Sequence, residues 1–170
     1  SQYGWVATVF CIAVALSAAL SLASESLMAG AGMAVALLIL ALFIGLGILF
    51  DIIGVAVTAA DEKPFHSMAA HREKGAREAL RLLKNASRVS SVCNDVVGDI
   101  CGIVSGTTAA VIVAQLQRSL DTRTVLLSVG VTALISGLTI GGKALGKTFA
   151  IRKSTQVVFL AGRFLHLFHR

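Results

Sequence analysis

Charge is scarce in this chain: of 170 residues only 14% are Asp, Glu, Lys or Arg, while 56% are hydrophobic and the mean hydropathy is +0.83. An ordinary soluble domain carries about a quarter of charged residues, so the composition excludes that class and implies a membrane protein. Cysteine is scarce too. Cys11, Cys93 and Cys101 are odd in number, fall within apolar runs and lack the spacing of a thiolate metal site, which leaves them as small apolar packing residues. Also missing are a Ser-His-Asp ordering, a phosphate-cradling glycine loop and a zinc helix motif; Gly45, Gly47 and Gly54 simply lie inside an apolar run. No enzyme and no organic cofactor are expected.

What the chain does contain is long apolar runs. About 20 predominantly apolar residues span a bilayer as a helix, and segments at about 5–22, 33–58, 89–115 and 125–142 meet that length. The first has no charged stretch before it and is expected as a retained span rather than a signal peptide. Between the second and third spans, "FHSMAAHREKGAREALRLLKN" is rich in helix formers and puts Phe65, Met68 or Ala69, Ala76, Leu80 and Leu83 near one face. Pro64 suits a first helical turn and Asn85 a stop, so a cytoplasmic juxtamembrane helix is expected at about 64–84. The C-terminal "STQVVFLAGRFLHLFHR", interrupted by Arg163, is too short to cross and reads as an interfacial helix at about 154–168. The expectation is an all-α polytopic membrane protein, a single transmembrane domain over 1–170.

Cations lie on one side of this arrangement. Seven sit between spans two and three and six follow span four, leaving Arg118 and Arg123 on the other side. Under the positive-inside rule, four spans with both termini cytoplasmic satisfy thirteen of the fifteen. The net charge of +6 follows from that asymmetry; it points to anionic lipid of the inner leaflet as partner and away from nucleic acid.

Polar groups inside a span face a bundle interior or a watery cavity and mark function. The third span opens with "SSVCNDVVGDICGIVSG", which carries Asp95 and Asp99 one turn apart. At about 100 degrees per residue, Ser91, Asp95, Gly98, Asp99, Gly102, Ser105 and Gly106 share one side. Gly98, Gly102 and Gly106 make small-xxx-small steps suited to close helix packing. Two carboxylates in low dielectric need compensation. One candidate is a hard divalent cation, for which Asp95, Asp99, Ser91 and Asn94 supply oxygens. The other is Lys143, at the end of the polar stripe Ser128, Thr132, Ser136 and Thr139, as a counter-ion or switch. Asp51, inside the second span, reads either as an acid on an ion path or as a hydrogen-bonded or protonated packing residue. His66 with His71 and His166 with His169 could be imagined as metal-ligand pairs, but they are expected as interfacial histidines.

From the second span onward, over roughly 35–168, the order of features resembles the transmembrane domain of the cyclin M and CorB/CorC family of magnesium transport proteins. "VTAADEKPFHSM" is similar to the end of that family's first helix, with Thr58 at the hydroxyl position and Asp61 at the acidic one. "KGAREALRLLKNASR" resembles its basic juxtamembrane helix, with Ala86 where proline is usual. "GGKALGKTFAIRKSTQVVFLAGRFLHLF" looks like its Gly-Glu-x-x-Pro-Lys-Thr segment, matching at Gly142, Lys147, Thr148, Ala150 and Arg152. Lys143 stands where the family has an ion-binding glutamate and Gly146 where it has proline; by ungapped count the family's middle-helix asparagine falls at Val97, with Asn94 one turn earlier.

The resemblance implies Mg2+ as the transported ion and a homodimer, and adds Thr58 and Asp61 to Asp95, Asp99, Ser91 and Asn94 as candidate ion ligands. It also implies cytoplasmic CBS domains after the spans. This chain adds an N-terminal span and is expected to lack those domains, which leaves room for a separate cytoplasmic regulatory protein. The location expected is a bacterial plasma membrane. The alternative is a non-transporting membrane scaffold or regulatory subunit, in which Asp95 or Asp99 pairs with Lys143 as a structural salt bridge.

Overall fold

The computed structural model describes residues 2–122 and 124–168. Ser1, Arg123, His169 and Arg170 lie outside the described residues. The described chain is helical throughout, with no strand: α1 (Gln2–Met28), α2 (Met33–Ala59), α3 (Lys63–Ala70), α4 (Ala76–Lys84), α5 (Ala86–Ser90), a π-helical stretch (Ser91–Gly98), α6 (Asp99–Ser119), α7 (Val125–Arg152) and α8 (Ser154–Phe168). Four runs are long and apolar enough to cross a membrane: α1, α2, the run Ala86–Ser119, and α7. Leu38, Leu126, Leu134 and Leu138 are among the large apolar side chains they leave exposed, a surface that lipid covers and water does not tolerate. The protein is an all-α polytopic membrane protein.

Two compact units emerge, one made of residues up to Ile48 with Val96–Gly142, the other of Leu49–Asp95 with residues from Lys143 onward. In the first, Ile39 and Phe43 of α2 pack with Val96, Ile100, Cys101 and Val104, and Val9, Ala13 and Leu16 of α1 close over them. Ala36, Leu40 and Ile112 form a neighbouring cluster with Ile135 of α7. Small residues permit this approach: a Cβ added at Gly47 would stand 3.2 Å from Cys101 Cβ. In hydrocarbon such packing is held by dispersion rather than by exclusion of water.

The second unit is different, since much of its core lies outside the spans. Phe65 of α3, Ala79 and Leu83 of α4 and Val158 of α8 pack with Ala56, Val57 and Ala150. The stretch expected as one juxtamembrane helix runs as α3 and α4, joined by a turn in which Arg72 (φ 56) and Gly75 (φ 91) are left-handed. Pro64 occupies the first turn of α3, where its missing N–H costs nothing. Gly75 is required for space as well as for its dihedral, because a Cβ there would stand 2.7 Å from the Arg163 backbone nitrogen. Across from it, Gly162 of α8 abuts the Gly75 carbonyl, and its added Cβ would lie 2.9 Å from Ala79 N.

One polar contact fastens the same pair of helices. His166 Nδ1 lies 3.2 Å from Glu78 Oε1, Glu78 standing in the first turn of α4 where the helix dipole favours an anion. Burial works against the Glu78 carboxylate, but its backbone hydrogen bond, the His166 hydrogen bond and the charges of His166 and Arg81 together hold its pKa below the usual glutamate value.

Two outcomes test this packing. Phe65→Ala removes a fully buried ring and is expected to cost about 3–5 kcal/mol in unfolding measured in detergent. Because the folded pKa of Glu78 is lowered, its contribution is complete above the unfolded value and vanishes as pH falls through the folded one. Glu78→Gln should therefore lower Tm at neutral pH and match the wild type in strong acid, as read by thermal scans across pH.

Candidate functional site

The second unit holds a cavity of about 470 Å3, lined at its polar positions by Thr58, Ser87, Ser90, Ser91, Asn94 and Asp95. Thr58 lies in the last turn of α2. Its Oγ1 donates to Val55 O at 2.8 Å, so its hydrogen is spent within the helix and its lone pairs remain to accept or coordinate. Ser90, Ser91, Asn94 and Asp95 come from the start of the third span, where the chain enters the π-helical stretch.

That stretch determines which residues share a face. A π-helical turn closes i to i+5 rather than i to i+4, so each turn accommodates an extra residue and the phase of the side chains slips relative to an α-helix. Val96, Gly98 and Ile100 are buried, Asp95 and Asp99 are exposed, and Ser105, expected beside the aspartates, is buried with its hydroxyl donating to Cys101 O. The slip also leaves Val97, the position reached by ungapped counting, packed on an apolar cluster, while Asn94 is the residue that reaches the cavity.

Asn94 is held tightly. Its amide lies against Gly54 of α2, where an added Cβ would stand 2.8 Å from Asn94 Cγ and would clash with the end of the amide that faces Asp51. In the orientation that satisfies both ends, Nδ2 donates to Asp51 Oδ1 at 3.0 Å and to Asp51 O at 3.2 Å, while Oδ1 accepts from Ser90 Oγ at 3.1 Å. Asp51 thus reaches the cavity wall through Asn94 without lining it.

Of the residues expected to hold an ion, Thr58, Ser91, Asn94 and Asp95 come together, and Ser90 and Ser87 join them. Ser90 is detectable from its i, i+4 relation to Asn94, and Gly54 from its i+3 relation to Asp51. Asp61 is placed elsewhere: its Oδ1 accepts from Lys63 N at 3.1 Å, fixing the turn into α3. Asp99 belongs to the other unit, in the first turn of α6. Gly102 and Gly106 are exposed, with nothing within 4 Å of an added Cβ, so within the described chain they pack no neighbouring helix; Gly98 is buried. Gly102 and Gly106 instead line a groove of about 360 Å3 with Ser128, Thr132 and Ser136 of α7.

The salt-bridge alternative finds no support. Among the described residues the ion pairs join His66 to Glu62 and His166 to Glu78, and neither aspartate nor Lys143 takes part in one. Both aspartates are exposed, so no closed interface within the chain forces a cation onto them. No group of three or more His, Cys, Asp or Glu forms a metal cage among the described residues. The donor set at the cavity is one carboxylate with hydroxyl and amide oxygens, which suits a hard cation that keeps part of its water rather than a thiolate or imidazole metal.

A family model described as the cyclin M transmembrane N-terminal domain matches residues 37–170. No curated protein and no solved structure matches the chain.

The Gly54 contact yields a direct test of this geometry. Gly54→Ala should push the Asn94 amide off α2 and destabilise the protein by about 1–3 kcal/mol. Gly45→Ala, at a position open to 4 Å on the same helix, should have little effect in the same unfolding assay.

Proposed function

Since the chain belongs to the cyclin M transmembrane N-terminal domain family, a family of membrane divalent-cation transport domains, we propose that it carries Mg2+ or a related divalent cation across the bilayer through the Thr58–Asn94–Asp95 cavity. One observation carries the proposal: a hydroxyl from the end of α2 and an amide and carboxylate from the π-helical stretch converge on one open space. Mg2+ dehydrates reluctantly and is usually held by one or two carboxylates with neutral oxygens and retained water, and Asp95 with Thr58, Ser90, Ser91 and Asn94 supplies that set. Transport needs binding that is also weak enough to release, which a single carboxylate suits better than a closed cage. The chemistry is exchange of water for protein oxygens, with no bond made or broken in the cargo.

Asp99 contributes at a different place in this proposal. Exposed on α6 beside Gly102 and Gly106, it forms a polar, small-residue face that hydrocarbon does not solvate. A second copy of the chain packed on that face gives the homodimer, and small residues allow the close approach. Lys143 stands at the position where the family's glutamate would be, and in this proposal it is a counter-ion or switch, not a ligand. The basic segments, α3–α4 and the stretch from the end of α7 through α8, face the cytoplasm, with both termini on the cytoplasmic side of a bacterial plasma membrane, where their cations meet anionic lipid. There they also offer a separate cytoplasmic regulatory protein its docking point.

Liposomes loaded with a Mg2+-sensitive dye provide the test. Wild-type protein should admit Mg2+, and Asp95→Asn and Thr58→Ala should each reduce the flux about tenfold or more while leaving the helical content and Tm in place. Flux that is absent in the wild type, or unchanged in both variants, rejects the proposal.

A further inference from the structure

Asp51 is an acid inside a membrane-spanning helix that does not line the cavity, and its geometry explains why it is there. Its role rests on the proposed cation site and concerns how that site acquires its sign. Two acceptors of Asp51, the carboxylate Oδ1 and the main-chain carbonyl, converge on Asn94 Nδ2 at 3.0 and 3.2 Å. A carboxylate and a carbonyl have no proton to give, so the end of the amide they hold is necessarily its NH2. The other end, Oδ1, is left beside Ser90 Oγ at 3.1 Å, on the side where Ser90 and Asn94 line the cavity. Gly54 supplies the wall, close enough to Asn94 Cγ and Nδ2 that the amide has no room to move toward α2.

We infer that Asp51 is a positioning residue that fixes the polarity of the Asn94 amide, so that the cavity is offered a carbonyl oxygen in place of an NH2 group, and thereby sets its preference for cations. Turned the other way, Asn94 would aim two N–H donors at the space and repel a divalent ion. Ser90 reinforces the arrangement, because a hydroxyl that donates to Asn94 Oδ1 keeps its own lone pairs free. Asp51 thus acts through the amide instead of being a ligand itself.

The sequence makes this testable. Asn85 and Asn94 are the only asparagines in the chain, so 15N-asparagine labelling yields two side-chain amide signals. Asn85, which donates to Arg81 O at 3.0 Å away from the cavity, is the internal reference. Purified full chain in nanodiscs would be titrated with MgCl2, following the Asn94 signal and, separately, the Mg2+-induced rise in Tm. Asp51→Ala should shift the Asn94 signal alone and weaken Mg2+ binding about tenfold or more, the range for residues that orient a metal ligand. Asp51→Asn keeps the shape but can offer either end of its own amide, so its affinity should fall between the two and guards against a misfolded alanine variant. Combining Asp51→Asn with Asn94→Asp, which exchanges donor and acceptor across the contact and leaves one carboxylate oxygen facing the cavity, should restore binding.

An Asn94 signal that ignores Asp51→Ala, or one that moves while Mg2+ affinity stays at the wild-type value in both single variants, overturns the inference. A wild type that shows no Mg2+ response, while the Asn94 signal still moves in Asp51→Ala, overturns the cation-site proposal and the selectivity built on it, leaving the contact itself intact.

Discussion

An amide group inside hydrocarbon must have its hydrogen-bonding capacity met by the protein, because no lipid chain will meet it and each lapse costs several kcal/mol. Asn94 meets it across two helices, with Asp51 at one end and Ser90 at the other. Much else depends on this bond. Gly54 has to be glycine for α2 to admit the amide, and Thr58 one turn on stands at the same cavity. Asp95 is carried there by being next to Asn94 in a helix whose winding has changed. The polar chemistry of the chain is thus organised by a neutral side chain, with carboxylates arranged about it.

The π-helical stretch bears a cost that the site uses. A wider turn weakens the helix locally and is retained mostly where function gains from it. Here it separates two adjacent needs of the third span. Up to Asp95 the helix presents serine, asparagine and aspartate to a cavity; from Val96 on, Val96, Ile100, Cys101 and Val104 supply an apolar core. With a constant α-helical winding the polar run would have continued along the face marked by Ser105, and that hydroxyl is instead buried and satisfied by its own helix.

Much of the fold is legible in composition and length. The four long apolar runs, the basic segments between and after them, and the likeness of residues from the second span onward to the cyclin M domain can all be read from letters alone. The site is legible in part. Thr58, Ser91, Asn94 and Asp95 can be named because oxygen-bearing side chains stand out in an apolar context. Asp99 reads as their neighbour because a fixed 100 degrees per residue cannot express a change of helical pitch, while Ser90 and Gly54 gain meaning only through their spacing to Asn94 and Asp51. The break between α3 and α4 is hidden for a related reason: a run of good helix formers conceals a left-handed glycine whose role is to let α8 in. Pairing with Lys143 is sound electrostatics that fails because exposed carboxylates are under no compulsion to find a lysine.

The meeting of Gly162 with the Gly75 carbonyl and Ala79 is a bearing made of bare backbone. Side chains absorb small displacements by changing rotamer, and glycines have none to change. The spacing of α8 and α4 is therefore set by main chain alone, with no rotamer available to take up an added methyl, and the His166–Glu78 contact fixes the same pair of helices at a second point.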